Sequence, residues 1–197
     1  MEYKVIQRIK RKITRAKCGE VFFVSSFPNE NEEYVTKLLA QFEKEGLITR
    51  IAKGIYCKPI MTRFGPLYPD VRKIVQLVAE RDHAQVLPSG ATAANMLGLS
   101  EQVPMKFLFI TSGSSRVLKV NGREIKLKRA VPHNFAYKTY LAALVVQALK
   151  DIGERNMGEE EISALKIAID RNEEKEAFKA DVQMMPAWMK KLIIPLL

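Results

Sequence analysis

An α+β fold is predicted for this 197-residue chain, and three observations predict it. Apolar residues recur at helical spacing in several segments, and short β-rich runs bounded by Gly and Pro lie between them. Within the first sixty or so residues the order is helix, short strand, turn, helix, hairpin. A further mixture of helices and strands follows, ending in a helical tail. The length allows one or two domains, enough to bury about 70% of the unfolded surface without disulfides or a structural metal.

Val5, Ile6, Ile9 and Ile13 share one helical face and define an amphipathic first helix, with Gly19 as its end. Beside that face Lys4, Arg8, Arg11, Lys12 and Arg15 form a basic stripe. Val21 to Val24 reads as a brief strand, and residues 25–29 as a turn or at most one turn of helix. Asn29 followed by Glu32 fits a capping box, with Asn31 as the competing cap. Val35, Leu38, Leu39 and Phe42 repeat at i, i+3, i+4 and i+7, the stripe of a core-facing helix that Gly46 stops. Residues 47–51 and 54–58 are β-rich runs around a short Gly-containing loop, a hairpin closed by Pro59.

Residues 62–69, with Gly65, Pro66 and Pro69, read as a linker, so the expected domains are 1–62 and 63–197. Val71, Ile74, Val75 and Val78 open the second with a helix, followed by a short strand over 85–87. Pro88-Ser89-Gly90 leads into a small-residue helix over 91–97, ended by Gly98. Lys106 to Thr111 is a buried strand by its continuous apolar run. Residues 116–120 and 123–128 flank Asn121-Gly122, the strongest short-range hairpin signal. Tyr137 to Lys150 is a helix apolar on nearly all sides, so it is either central or half of an interface. Glu159 to Asp170 is a helix with acid in its first turn, where the macrodipole favours it. A short apolar stretch over 187–194 follows Pro186.

Charge narrows the partners. The formal net charge is +10; residues 1–63 hold 13 basic and 7 acidic side chains, residues 64–150 hold 12 and 5, and residues 151–197 hold 7 and 10. A basic body suits an anionic partner, while the acidic tail 151–197 differs in kind from the rest. Cys18 and Cys57 are far apart with no Cys or His at ligand spacing, so reduced thiols and no metal are expected. Residues 1–17 alternate charged and apolar residues, unlike a secretory signal, and the run 140–149 is too short to cross a bilayer. The expected location is the cytoplasm, at the nucleoid, with no membrane partner.

Enzyme signatures are missing from the sequence. The phosphate-loop pattern, G-x-S-x-G and H-E-x-x-H do not occur, and His83 and His133 sit in no catalytic spacing. Thr111-Ser112-Gly113-Ser114-Ser115 reads as a turn, with no acidic pair on the next strand. No catalytic residue, cofactor or metal is expected.

The order of the first sixty-odd residues is that of a winged helix-turn-helix, followed here by a mixed α/β C-terminal domain with a helical tail. A helix pinned by Val35, Leu38, Leu39 and Phe42 presents its outer face to a major groove wide enough to admit it. There Thr36 and Gln41 are placed to read base edges, and Lys37 and Lys44 to meet phosphates. Arg50 and Lys53 at the wing tip suit the backbone or the minor groove. Arg8, Arg11, Lys12 and Arg15 extend the phosphate track. Glu32 and Glu33 oppose this reading, because carboxylates at the groove-entering end repel phosphate.

Residues 44–56, Lys-Glu-Gly-Leu-Ile-Thr-Arg-Ile-Ala-Lys-Gly-Ile-Tyr, with Lys58-Pro59 after them, resemble the helix-to-wing signature of AbiEi-type antitoxins, regulators of type IV toxin–antitoxin systems. Phe64-Gly65-Pro66-Leu67 and the stretch 90–100 resemble second-domain elements of that family, so the likeness spans roughly residues 1–150. It implies a winged helix that represses its own operon by binding its double-stranded operator. It also implies a C-terminal domain that counteracts a cognate nucleotidyltransferase toxin. A homodimer is one arrangement, since inverted-repeat operators mirror two-fold proteins, and cooperative monomers are the other. The rival reading is a protein-interaction module, or an orphan regulator, whose helix 137–150 and C-terminal helices dock a partner.

Overall fold

The structure, a computed structural model, describes residues 2–102, 104–120 and 122–197, the side chain of Glu2 excepted. Its helices and small sheets form a mixed α+β architecture. Two compact units are present, Met1–Asp82 with Leu118–Gly122, and His83–Val117 with Arg123–Leu197.

The first unit begins with α1 (Glu2–Arg15), β1 (Val21–Phe23) and a 3-10 turn (Val24–Ser26). α2 (Glu32–Lys44), β2 (Thr49–Ala52) and β3 (Ile55–Cys57) follow. β1 and β2 both pair antiparallel with β3, giving the strand order β1-β3-β2. The helical stripes anticipated from spacing meet in one core. Ile9 and Ile13 of α1, Phe22 of β1, Phe27, and Val35, Leu38, Leu39 and Phe42 of α2 are all buried there, with Ile48 and Tyr56. Each such large side chain contributes about 1.5–3 kcal/mol by leaving water. Phe22 and Phe27 stack with ring centroids 6.3 Å apart.

The ends of α2 explain its bounds. Asn31, not Asn29, is the cap: its Oδ1 accepts from the Tyr34 amide at 3.0 Å. At the other end the Gly46 amide donates to Glu43 O and the Leu47 amide to Phe42 O, both at 3.0 Å, the paired bonds of a Schellman end. α1 stops at Arg15, ahead of Gly19, whose amide instead donates to Lys58 O at 2.7 Å.

One expectation is corrected here. The stretch read as a linker folds as an antiparallel ribbon of β4 (Ile60–Thr62) and β5 (Gly65–Leu67). Thr62 holds it closed, its Oγ1 donating to Gly65 O at 2.7 Å. The first unit runs past residue 62 to Asp82 and takes in α3 (Val71–Arg81). The Arg81 guanidinium lies 4.9 Å over the Phe23 ring, on β1.

The second unit contains β6 (Val86–Pro88), α4 (Ala91–Met96), β7 (Lys106–Thr111) and β9 (Arg123–Arg129); of β8 (Arg116–Val120), Arg116 and Val117 group with it and residues 118–120 with the first. The sheet order is β6-β7-β9-β8, with β6 antiparallel and β9 parallel to β7. Asn121 of the expected hairpin turn lies outside the described residues. α5 (Tyr140–Ile152), α6 (Glu159–Asp170), α7 (Lys175–Val182) and α8 (Ala187–Ile193) complete the unit. α5 is its central helix: Ala142 through Leu149 are buried in one core with Ala93, Leu165, Phe178 and Met189. Asp181 of α7 locks the start of α5, accepting from the Lys138 amide at 3.0 Å, the Thr139 amide at 2.7 Å and the Thr139 hydroxyl at 2.8 Å.

Candidate nucleic-acid interface

With its apolar stripe committed to the core, α2 turns the opposite side to solvent. Thr36, Lys37, Gln41 and Lys44 are all exposed, together with Glu32 and Glu33. Local bonds already occupy several of these groups. The Thr36 hydroxyl donates to Glu32 O at 2.8 Å, which leaves its methyl and oxygen lone pair outward. Lys37 Nζ meets Glu33 Oε1 at 2.8 Å, an i,i+4 pair that cancels much of its field. Gln41 Nε2 donates to Glu45 Oε1 at 2.8 Å, which leaves its carbonyl and its second amide proton for a ligand. Lys44 forms no hydrogen bond or ion pair among the described residues.

The basic stripe of α1 divides into two rows. Arg8 pairs with Glu30. Lys12 Nζ donates to Ser26 O at 2.6 Å and sits 4.9 Å over the Phe27 ring. Both cations therefore tie α1 to the segment that enters α2. Arg11 and Arg15 are exposed and unpaired among the described residues.

The hairpin carries the third group. Ala52 faces Ile55 across a two-residue loop, Lys53-Gly54, and the register shifts between Arg50 and Ala52. Gly54 has φ +71, a conformation that side chains rarely adopt, so glycine sets this turn. Arg50 and Lys53 are exposed and unpaired among the described residues. All ten residues singled out from the sequence thus lie on the surface of one unit, around one core. Arg11, Arg15, Lys44, Arg50 and Lys53 offer free cationic heads, while Arg8, Lys12 and Lys37 are engaged within the chain. Unpaired guanidinium and ammonium groups can donate to phosphate oxygens without first breaking an internal bond.

Two further lysines shape this surface. Lys10 Nζ lies 3.1 Å from Glu45 Oε2 and 5.8 Å from the centre of the Phe42 ring. Hydrogen bonds from Gln41 first and Lys10 second hold the Glu45 carboxyl below its usual range. Lys58 Nζ donates to Thr14 O at 2.6 Å and Ala16 O at 2.9 Å, capping the C-terminus of α1. Position 10 flanks the apolar face of α1, a signal that was readable. The Lys58 contact joins residues 44 apart, and no local pattern announces it.

Among the described residues no helix is long and apolar enough to cross a membrane. No group of three or more His, Cys, Asp or Glu among them is placed to hold a metal ion. The family model described as a family of unknown function (DUF6088) matches residues 8–177, most of the chain, and the chain belongs to that family. A search of the curated proteins finds no match.

Proposed function

We propose that this DUF6088 member binds double-stranded DNA through a winged helix-turn-helix in its N-terminal 62 residues. In this reading α2 enters the major groove and the β2–β3 hairpin is the wing. One observation carries it: an antiparallel sheet of order β1-β3-β2 shares its core with α2, and around that core Lys44, Arg50, Lys53, Arg11 and Arg15 are exposed and unpaired among the described residues. A helix braced in this way can enter a groove without bending, and the loop of an adjacent hairpin reaches the flanking backbone.

The contacts divide by chemistry. Lys44, Arg50, Lys53, Arg11 and Arg15 neutralise phosphates, whereas Thr36 and Gln41 read base edges. Arg8 and Lys12 brace α1 against the entry to α2, and Lys37 acts with Glu33 as a weakened cation. The regulatory role, repression of its own operon as the antitoxin to a nucleotidyltransferase, rests on the sequence resemblance alone. As for a docking role of helix 137–150, residues 142–149 are buried inside their own unit, while Tyr140 is exposed.

The test is a gel shift with the full chain and labelled duplex from its own upstream region. The expected result is a complex that unlabelled cognate duplex displaces and a tenfold excess of unrelated duplex, well below specificity ratios of roughly 10³–10⁷, does not. Equal displacement by both competitors overturns sequence-specific binding, and no shift at all overturns DNA binding.

A further inference from the structure

The second unit contains a cleft of about 310 Å³ that the DNA-binding reading does not use. It opens at the carboxyl ends of the two parallel strands, β7 and β9, where Ile110 pairs with Lys128 and Thr111 with Arg129. Crevices at the carboxyl ends of parallel strands are where open α/β sheets hold their ligands, because loops and helix ends converge there. The volume stands at the small end of the range for small-molecule sites.

The lining is cationic, with a fixed polar floor. Lys128, Arg129 and Lys150 line the cleft against a single carboxylate, Asp151. The Lys128 and Arg129 side chains are exposed and form no bond or ion pair among the described residues. Lys150 Nζ donates to Asn134 Oδ1 at 3.0 Å. Gln147, only 4% exposed, is held on both sides: its Oε1 accepts from Ser89 at 3.1 Å and its Nε2 donates to Asn134 Oδ1 at 3.2 Å. Leu108 and Ile110 supply an apolar wall. At Gly90, with φ +57, a side chain would be strained, and its Cβ would press within 3.2 Å of Asp151 Oδ1 and 3.3 Å of a Leu108 methyl.

We propose that this cleft binds a phosphate monoester of nucleotide size, its phosphate held by Lys128, which shares the sheet face of Leu108 and Ile110, and by Lys150, with its organic body laid along Leu108 and Ile110. Two ammonium groups donating together to phosphate oxygens give the charge-assisted bonds such a group requires. Asp151 supplies the acceptor that a sugar hydroxyl or a ring N–H would meet, which free phosphate lacks. The proposal is independent of DNA binding by the first unit.

Isothermal titration of the full chain with the four ribonucleoside 5′-monophosphates, the matching nucleosides and inorganic phosphate tests it. At least one monophosphate is expected to bind about tenfold or more tightly than both its nucleoside and inorganic phosphate, the difference expected from one charge-assisted contact. K128E and, separately, K150M are expected to weaken that binding by about tenfold or more with unchanged circular dichroism. K44E on α2 is expected to leave it unchanged. Overturning results are no heat with any monophosphate at millimolar concentration, equal binding of phosphate and nucleotide, or nucleotide binding untouched by both cleft variants.

Discussion

Lys58 caps the helix that ends at Arg15: its ammonium donates to Thr14 O at 2.6 Å, fastening the C-terminus of α1 to the strand that closes the hairpin. A second bond, to Ala16 O at 2.9 Å, and the backbone pair between Lys58 and residues 19 and 20 complete the join. Removing the ammonium leaves two terminal carbonyls without their cation. Lys58→Met is expected to destabilise the first unit by about 1–2 kcal/mol, read from urea unfolding, while Lys53→Met stays within about 0.5 kcal/mol. Equal effects of the two variants would remove Lys58 from the brace.

Asp181 gives the second unit a signature in acid. Burial pushes its carboxyl up, but the amides of Lys138 and Thr139 and the Thr139 hydroxyl outweigh that and hold it below the usual aspartate range. A carboxyl depressed by folding contributes stability that is fully present above its unfolded value. That stability is lost as pH falls through the folded value. Asp181→Asn is expected to cost about 2–3 kcal/mol near neutrality, since its amide cannot accept all three bonds. The gap from wild type should narrow as pH drops below the aspartate range. Urea midpoints measured from neutral to acid pH check this, and a gap constant with pH contradicts it.

Glu33 restrains Lys37 on the outer face of α2. Glu33→Gln removes a carboxylate from the proposed groove-facing side and frees the ammonium at once. Duplex binding is then expected to tighten by roughly two- to fivefold at low salt, the gain converging with wild type as salt rises. Fluorescence anisotropy at two salt concentrations reads both effects. Weaker binding by the variant would mean that Glu33 itself meets a donor on the duplex.

How much of this was legible follows from where each signal lives. α6, over Glu159–Asp170, and β7, over Lys106–Thr111, emerged with the expected bounds, one from its acidic first turn, the other from its unbroken apolar run. α7 carries little sequence signal, because half of Lys175–Val182 is charged and only Phe178 and Val182 are large apolar residues. The ribbon Ile60–Leu67 reads as a linker because Gly65 and Pro66 are local breakers, and its pairing depends on the partner strand. At the candidate interface, exposure was predictable: once Val35, Leu38, Leu39 and Phe42 face inward, Thr36, Lys37, Gln41 and Lys44 face outward. Which cations stay free was not. Arg8 and Lys12 share the period of Arg11 and Arg15, and only the folded chain sets Glu30 and Ser26 O opposite the first two.

The central claim is that a free cationic surface on the first unit grips the backbone of duplex DNA. Its most direct measurement is the salt dependence of binding by the full chain to its own upstream duplex, followed by anisotropy. Engagement of five cations, Arg11, Arg15, Lys44, Arg50 and Lys53, gives a slope of log K against log salt of about −4 to −5. R50E/K53E is expected to flatten that slope by about 2, with the Asp181-dependent stability of the second unit unchanged. A near-zero slope for wild type, or a double variant that binds and responds to salt as wild type does, would contradict it.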